Sequence, residues 1–452
     1  MSQLQTVRPP MATNDRTWLG GHLKAFRRNP LAFFEEMHKQ YGMSAQIRFG
    51  PKKINLLYDP EMVKEVLITK SESFIRGGFS AQEVKRFLGE GVIFSEGDEH
   101  KKHRRMLQPR FTRAHIQQYA EQMSAIAAAH AELWKDSEEL QLSKALFGIT
   151  FDILARTIFS FDSSDQLTDI GRAYSVINRI GSEKLRHLFK LPLFVPTKQN
   201  KEYLEAIGKL DEIVYSLIAK RRKEKDATHQ DLLSVLMAAV DETDQSTYTD
   251  TQLRDELMGL FFAGHETTAN TLLWTFYFLM QNPEAEAKLH AEWNRVLGGR
   301  DANADDFPQL TYTQHVLSEA LRLMPVAFMV YRTAARDVII GNIQIAKGEI
   351  VFISPYVIHR SSAYFSDPLA FRPERFENDM VKKIPQFAYF PFGGGARACI
   401  GNHYAMLEMM MVLCAIGRRF RMRLAPNHHE VVPEALLTLV PKDGIRVVLE
   451  KR

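Results

Sequence analysis

The sequence predicts a mainly α-helical fold with a smaller β portion, and three observations carry that reading. From about Glu99 to Arg300 the apolar residues recur with helical spacing almost throughout. Alternating, β-branched stretches occur only towards the two ends. No Pro/Gly/Ser-rich linker or internal repeat divides the 452 residues. Strands so far apart make more than a hairpin only by pairing with each other, which predicts one interwoven domain over residues 1–452 rather than the roughly three that length alone suggests.

Taken in order, the elements follow from local chemistry. Ala45 to Tyr58 alternates around Gly50-Pro51 and reads as a hairpin. Asp59-Pro60 supplies an N-cap and a first-turn proline for a helix reaching about Thr69. About Thr249 to Gln281 reads as one long helix, on the order of 45–50 Å at 1.5 Å per residue; Thr249 or Asp250 caps it and Asn282-Pro283 ends it. Val338 to Ser354 is strand-rich, with Gly341 and Gly348 at turns. After Arg375 come a long loop, a helix, and short strands around Leu436–Val440 and Ile445–Leu449.

Composition removes several classes of function. Apolar residues at 45% and charged residues at 25% are globular values, which exclude disorder and coiled coil. A net charge of +4 is too weak for nucleic-acid binding. The first 30 residues hold no signal-type or membrane-spanning apolar run, so no membrane anchor is expected. Two cysteines, Cys399 and Cys414, exclude a disulfide framework and any four-cysteine metal site, and fit a reducing, cytoplasmic setting.

The two cysteines differ in setting. Cys414 sits mid-helix among Met411, Val412, Leu413 and Ile416 and reads as a small core hydrophobe. Cys399 follows three consecutive glycines, whose backbone path most residues could not follow, and precedes a helix. A helix N-terminus and the nearby Arg397 both favour a thiolate, which can act as a nucleophile or as an axial metal ligand. In the long helix, Phe261-Phe-Ala-Gly-His-Glu-Thr-Thr-Ala269 violates helix preference twice. Gly264 costs about 1 kcal/mol against Ala, and the paired threonines can bond back to the preceding turn. That predicts close approach of a flat ligand and a polar opening. A zinc-protease reading fails, because His-Glu-x-x-His needs histidine where Ala269 stands.

The segment Phe392-Gly-Gly-Gly395-Ala-Arg397-Ala-Cys399-Ile-Gly401 resembles the heme-binding signature of the cytochrome P450 superfamily. Three further landmarks in order support the resemblance: Ala263-Gly264-x-Glu266-Thr267-Thr268, Glu319-Ala-Leu-Arg322, and Phe371-Arg-Pro-Glu-Arg-Phe376. The resemblance implies the cytochrome P450 fold, heme b (iron protoporphyrin IX) as cofactor, and Cys399 as the ligand of its iron. It implies that Glu266 and Thr267 manage protons for dioxygen activation, a task suited to a hydroxyl backed by a carboxylate. It implies a structural network of Glu319, Arg322 and Arg375. Around the cofactor it places Ala263, Phe392 and Gly401, with His100, Arg104, Arg332 and Arg397 as cations for the two propionates. The run His100-Lys-Lys-His-Arg-Arg105 then lies on the side where electron donors dock, with Lys101, Lys102 and Arg105 as contributors.

On the substrate side the resemblance places Phe79, Phe94, Phe262, Val326, Ala327 and Leu437. These apolar residues imply a hydrophobic substrate. No charged residue stands out as an anchor for a carboxylate, Arg76 being the nearest to one. The implied activity is a monooxygenase that inserts one oxygen atom of O2 by hydroxylation or epoxidation. Electrons would come from a separate ferredoxin or flavodoxin with its NAD(P)H reductase, no reductase domain being fused. The expected state is a soluble bacterial-type monomer. Two alternatives stay open: a peroxide-using or rearranging heme-thiolate enzyme, and a non-catalytic heme-binding sensor.

Overall fold

The computed structural model describes residues 8–13, 17, 20–77, 85, 87–160, 164–186, 192–224, 231–428 and 430–452. Within it the long helix runs Asp250–Gln281. Thr249 caps it reciprocally: its hydroxyl accepts the Gln252 amide and the Gln252 side chain accepts the Thr249 amide. Asn282 ends it, and Pro283 opens the next helix, Pro283–Leu297. Because this helix crosses the interior, its burial is not confined to one stripe. Leu253, Met258 and Trp274 face different directions and all are buried.

Other helices pack around it, chiefly Leu142–Ile158, Lys198–Lys223, Thr311–Leu323 and Asn402–Gly417. The last is apolar on nearly every face, including Cys414, which is completely buried as a core residue. Gly264 lies where the long helix meets Leu142–Ile158. A Cβ there would stand 2.9 and 3.0 Å from the Leu154 methyls. The close approach this glycine serves is therefore to a neighbouring helix, correcting the flat-ligand reading.

The β portion forms a second core beside the helical one. Ser44–Phe49 and Lys52–Leu57 make the hairpin around Gly50-Pro51. Lys52–Leu57 then pairs in parallel with Ile350–Ile353, almost three hundred residues away, so the two ends of the chain do share a sheet. Val330–Ala334 and Phe74–Ile75 complete its five strands. Val338–Ile340 and Ile343–Ile345 form a separate hairpin instead of joining that sheet. Pro433–Ala435 pairs with Leu439–Pro441, turning at Leu437 and Thr438. Among the described residues no helix is long and apolar enough to cross a membrane.

Candidate functional site: the cysteine loop and the long helix

The loop before Cys399 shows why three glycines are needed. Gly393 and Gly395 have φ of +71° and +68°, a region that side chains rarely adopt. A Cβ on Gly394 would press within 2.4 Å of the Phe387 ring, and one on Gly395 would meet the Leu67 carbonyl at 2.0 Å. The resulting turn is closed by the Cys399 amide donating to the Phe392 carbonyl at 2.8 Å. Gly401 then caps the helix Asn402–Gly417.

A second anchor comes from the buried charge network. Glu319 and Arg322 are both fully buried on the helix Thr311–Leu323 and pair bidentately at 2.7 and 2.8 Å. Arg375 donates to the same carboxylate at 3.0 Å, as does the Arg372 amide at 2.9 Å. Arg322 donates onward to the carbonyls of His359 and Pro368 at 2.8 and 2.7 Å. His359 in turn accepts the Phe390 amide through Nε2 at 2.9 Å. The network thus reaches the first residue of the cysteine loop. Nothing in sequence spacing marked His359 as that link.

Cys399 has accessible surface although protein encloses it. Ala263 is likewise accessible in a helix that is otherwise mostly buried. Thr267 stands one turn on, its hydroxyl donating to the Ala263 carbonyl at 2.7 Å. Accessible surface on an otherwise buried helix marks Ala263 and Thr267 as candidates for a cleft wall. Burial pushes the Cys399 thiol up, opposed by the Gly401 amide and the Arg104 guanidinium. Arg397 is turned away from the sulfur, donating to the Ser95 carbonyl and the Glu96 carboxylate at 2.6 Å each. Burial thus works against the thiolate that the sequence reading expects, whereas the Gly401 amide and Arg104 favour it, and a coordinating metal would favour it further.

Above the loop, cations gather in excess. Arg104 donates to the Ala398 carbonyl at 2.6 Å. Arg76 donates to the Ile93 carbonyl at 2.8 Å and lies 5.4 Å over the Phe94 ring. Arg332 is pushed down to about 10 by lost hydration and by the neighbouring charges of Arg76 and Arg397. His100, buried, is held down to about 4 by lost hydration and by Arg397, Arg104 and Arg76. Among the described residues, the carboxylate whose field reaches Arg332 and Arg397 is Glu96. One Arg397 nitrogen, Nη1, is buried without a partner. So many half-buried guanidinium groups with so little counter-charge favour an anionic ligand. Two carboxylates on a flat cofactor would supply that counter-charge. Arg76 therefore faces the cation cluster rather than standing apart as an anchor for a substrate carboxylate.

Glu266 is buried and held by three donors from distant elements. The Tyr174 hydroxyl donates to it, the Asn178 amide at 2.9 Å, and the Thr438 hydroxyl at 2.7 Å. Among the described hydrogen bonds none joins Glu266 to Thr267. Tyr174, Asn178 and Thr438 were not visible as site residues, because each comes from an element whose docking only the fold decides. Of the apolar candidates, Phe262 is half-buried, Ala327 and Leu437 are exposed, and Phe94 and Val326 are buried. Phe392 is half-buried in the cysteine loop. Phe79 lies outside the described residues. Lys101, Lys102 and Arg105 are engaged within the chain, donating at 2.8 Å each to Asp98, Asp244 and Asp241 respectively.

A cysteine with accessible surface on a glycine turn, a long helix with accessible surface at Ala263, and a cation-rich rim are features that a heme-thiolate protein needs. Comparison with known proteins agrees. The sequence model described as Cytochrome P450 matches residues 9–448, and the chain belongs to that family. Cyclooctatin synthase of Streptomyces melanosporofaciens is 35% identical, covering 96% of this chain and 94% of its own. Pentalenene oxygenase of Streptomyces avermitilis is 31% identical, covering 96% and 95%. The crystal structure of the cytochrome P450DA heme domain shares the fold, with a TM-score of 0.90 at 24% identity over 99% of this chain and 98% of that one. The protein is accordingly a heme-dependent P450 monooxygenase that uses O2 and a redox partner to oxidise a hydrophobic small molecule.

Proposed function

We propose that Cys399 would hold the heme iron through its sulfur and that Thr267 and Glu266 handle the protons of oxygen activation. The observations that carry this are the accessible surface of Cys399, presented by its glycine turn, and the accessible surface at Ala263 in a helix that is otherwise mostly buried, in a chain of this family. When bound, heme supplies the oxidising chemistry, and a thiolate ligand favours O–O cleavage. The chain's residues do the rest. Ala263 leaves room for the flat face. Arg104, Arg332 and Arg397, with Arg76 beside them and His100 as a neutral donor, hold the propionates. Thr267 keeps a hydroxyl at the cleft wall. Glu266, buried behind it, keeps a carboxylate within the same helical turn. Glu319, Arg322 and Arg375 keep the cysteine loop in place.

The substrate is a hydrocarbon-rich, terpenoid-type molecule. Supporting this are the apolar side chains around Phe262, Val326 and Leu437 and the names of relatives such as Cyclooctat-9-en-7-ol 5-monooxygenase, also of Streptomyces melanosporofaciens, 32% identical over 90% of this chain. The electron donor is a ferredoxin or flavodoxin served by its own reductase, in the cytoplasm, and the chain is one heme-enclosing domain. The test is spectroscopic. The reduced carbon monoxide complex shows the red-shifted Soret band of a thiolate ligand, and Cys399→Ala abolishes it. A Cys399→Ala protein that kept the band would overturn the assignment.

A further inference from the structure

One turn of the long helix carries three consecutive charged residues, Arg254, Asp255 and Glu256, none of which the chemistry above employs. Arg254 and Glu256 are buried and Asp255 is half-buried. Charges so placed are tolerated only when paired, and these meet partners from three directions. Asp255 accepts the Glu90 amide at 2.8 Å. Glu256 accepts the Val92 amide at 3.0 and 3.1 Å, and on its other side meets His103 Nδ1. Arg254 donates to Asp255 at 3.0 Å and to Asp211, on the helix Lys198–Lys223, at 2.7 Å.

The loop reaches these carboxylates because it has no side chains where it touches the helix. A Cβ on Gly89, whose φ is +76°, would fall 1.9 Å from the Asp255 carboxyl carbon. One on Gly91 would stand 2.9 Å from the Asp255 carbonyl and 3.0 Å from Glu256 Oε2. One turn along, a Cβ on Gly259 would stand 3.3 Å from the Ile93 side chain. Three glycines and two carboxylates thus converge on one contact. Immediately beside it, the Phe87 ring packs 4.8 Å from that of Phe262, and Phe94 follows two residues after Val92.

We propose that Asp255 and Glu256 are positioning residues for the substrate pocket. They seat the segment Gly89–Val92 by its backbone amides and so set where Phe87 and Phe94 stand against Phe262. Arg254 and Asp211 tie the same turn to the helix Lys198–Lys223, so the loop and that helix are held through one point. This rests on the reading that Phe94 and Phe262 face the substrate.

The test uses heme-loaded enzyme and two iron ligands, 4-phenylimidazole, which must fit the pocket, and carbon monoxide, which is small. Losing a hydrogen bond to a charged group is worth about tenfold or more, so Asp255→Ala and Gly91→Ala should each raise the 4-phenylimidazole dissociation rate by about that factor. Carbon monoxide rates should change by less than about twofold, because a displaced wall hardly affects so small a ligand. Asp255→Asn, which keeps an acceptor, should restore most of the wild-type rate. If either alanine variant fails to fold, Asp211→Asn, at the more exposed end of the chain of contacts, is read in the same way with a smaller increase. Unchanged 4-phenylimidazole kinetics in these variants, while Phe262→Ala alters them, would overturn the proposal and leave the pocket reading standing. If Phe262→Ala also changes nothing, the pocket reading itself fails.

Discussion

At Thr267 and Glu266 two adjacent polar residues meet different environments. The threonine hydroxyl stands at the cleft wall on its own helix's carbonyl, whereas the carboxylate is fastened to Tyr174, Asn178 and Thr438. Removing the hydroxyl breaks its bond to the Ala263 carbonyl and takes one polar group from that face of the helix. Thr267→Ala should therefore lower oxygen-dependent product formation by about 10², while substrate binding and the Soret band stay as in the wild type. Thr267→Ser should recover most of the loss. The assay compares electrons consumed with product formed, and a threonine variant as productive as the wild type would sink the proton role. The type of each residue was legible in the sequence, since a glycine and two threonines inside a long helix violate its preferences. The partners of Glu266 were not, because they lie 88 to 172 residues away in the chain.

Among the elements, the joint between the Glu319–Arg322 helix and the cysteine loop carries the largest concentrated stake. Arg322, fully buried, satisfies Glu319 and three backbone carbonyls. Replacing it with methionine leaves the buried Glu319 carboxylate with only Arg375 and the Arg372 amide, and breaking a buried pair in this way destabilises by about 3–5 kcal/mol. Urea unfolding of the heme-loaded protein reads this directly, and faster heme loss should accompany it, because His359 and Phe390 link the network to the loop. The helix pair at Gly264 offers a test of opposite character. Gly264→Val must push Leu154 aside, and overpacking of this kind costs about 1–3 kcal/mol. Adding Leu154→Ala should recover part of that, and the pair of stabilities measured by thermal unfolding decides it. An acid and a base three residues apart could be read from the sequence; that both would be wholly buried could not, since the same spacing on an exposed helix is worth little.

For the whole molecule, buried histidines couple stability to acidity. His265 is fully buried and held down to about 4 by lost hydration; His359, also fully buried, is held down to about 3 by lost hydration and by the charges of Arg322 and Arg360. An unfolded-chain histidine titrates near 6.5. Between about pH 6.5 and 4 the unfolded chain therefore binds protons that the folded chain refuses. Stability should fall as pH drops through that window, by roughly 1.4 kcal/mol per pH unit for each histidine, and be insensitive to both above it. Urea midpoints at pH 7.5, 6 and 5 check the slope. His265→Gln should remove about half of what these two residues contribute.

By itself the sequence determined what local chemistry can specify. Glycines forced the turn before Cys399, Thr249 and Asn282-Pro283 bounded the long helix, and spacing divided a packed Cys414 from a presented Cys399. The hairpin at Gly50-Pro51 and the β-rich ends were legible for the same reason: periodicity and turn residues act over a few positions. The tertiary structure alone decided what depends on elements meeting. It turned Arg397 towards Glu96, drew Arg76 into the cation cluster, engaged Lys102 and Arg105 with nearby aspartates, and assigned Gly264 to a helix contact. Those outcomes depend on distance and desolvation between segments remote in the chain, and neither quantity is written in residue order.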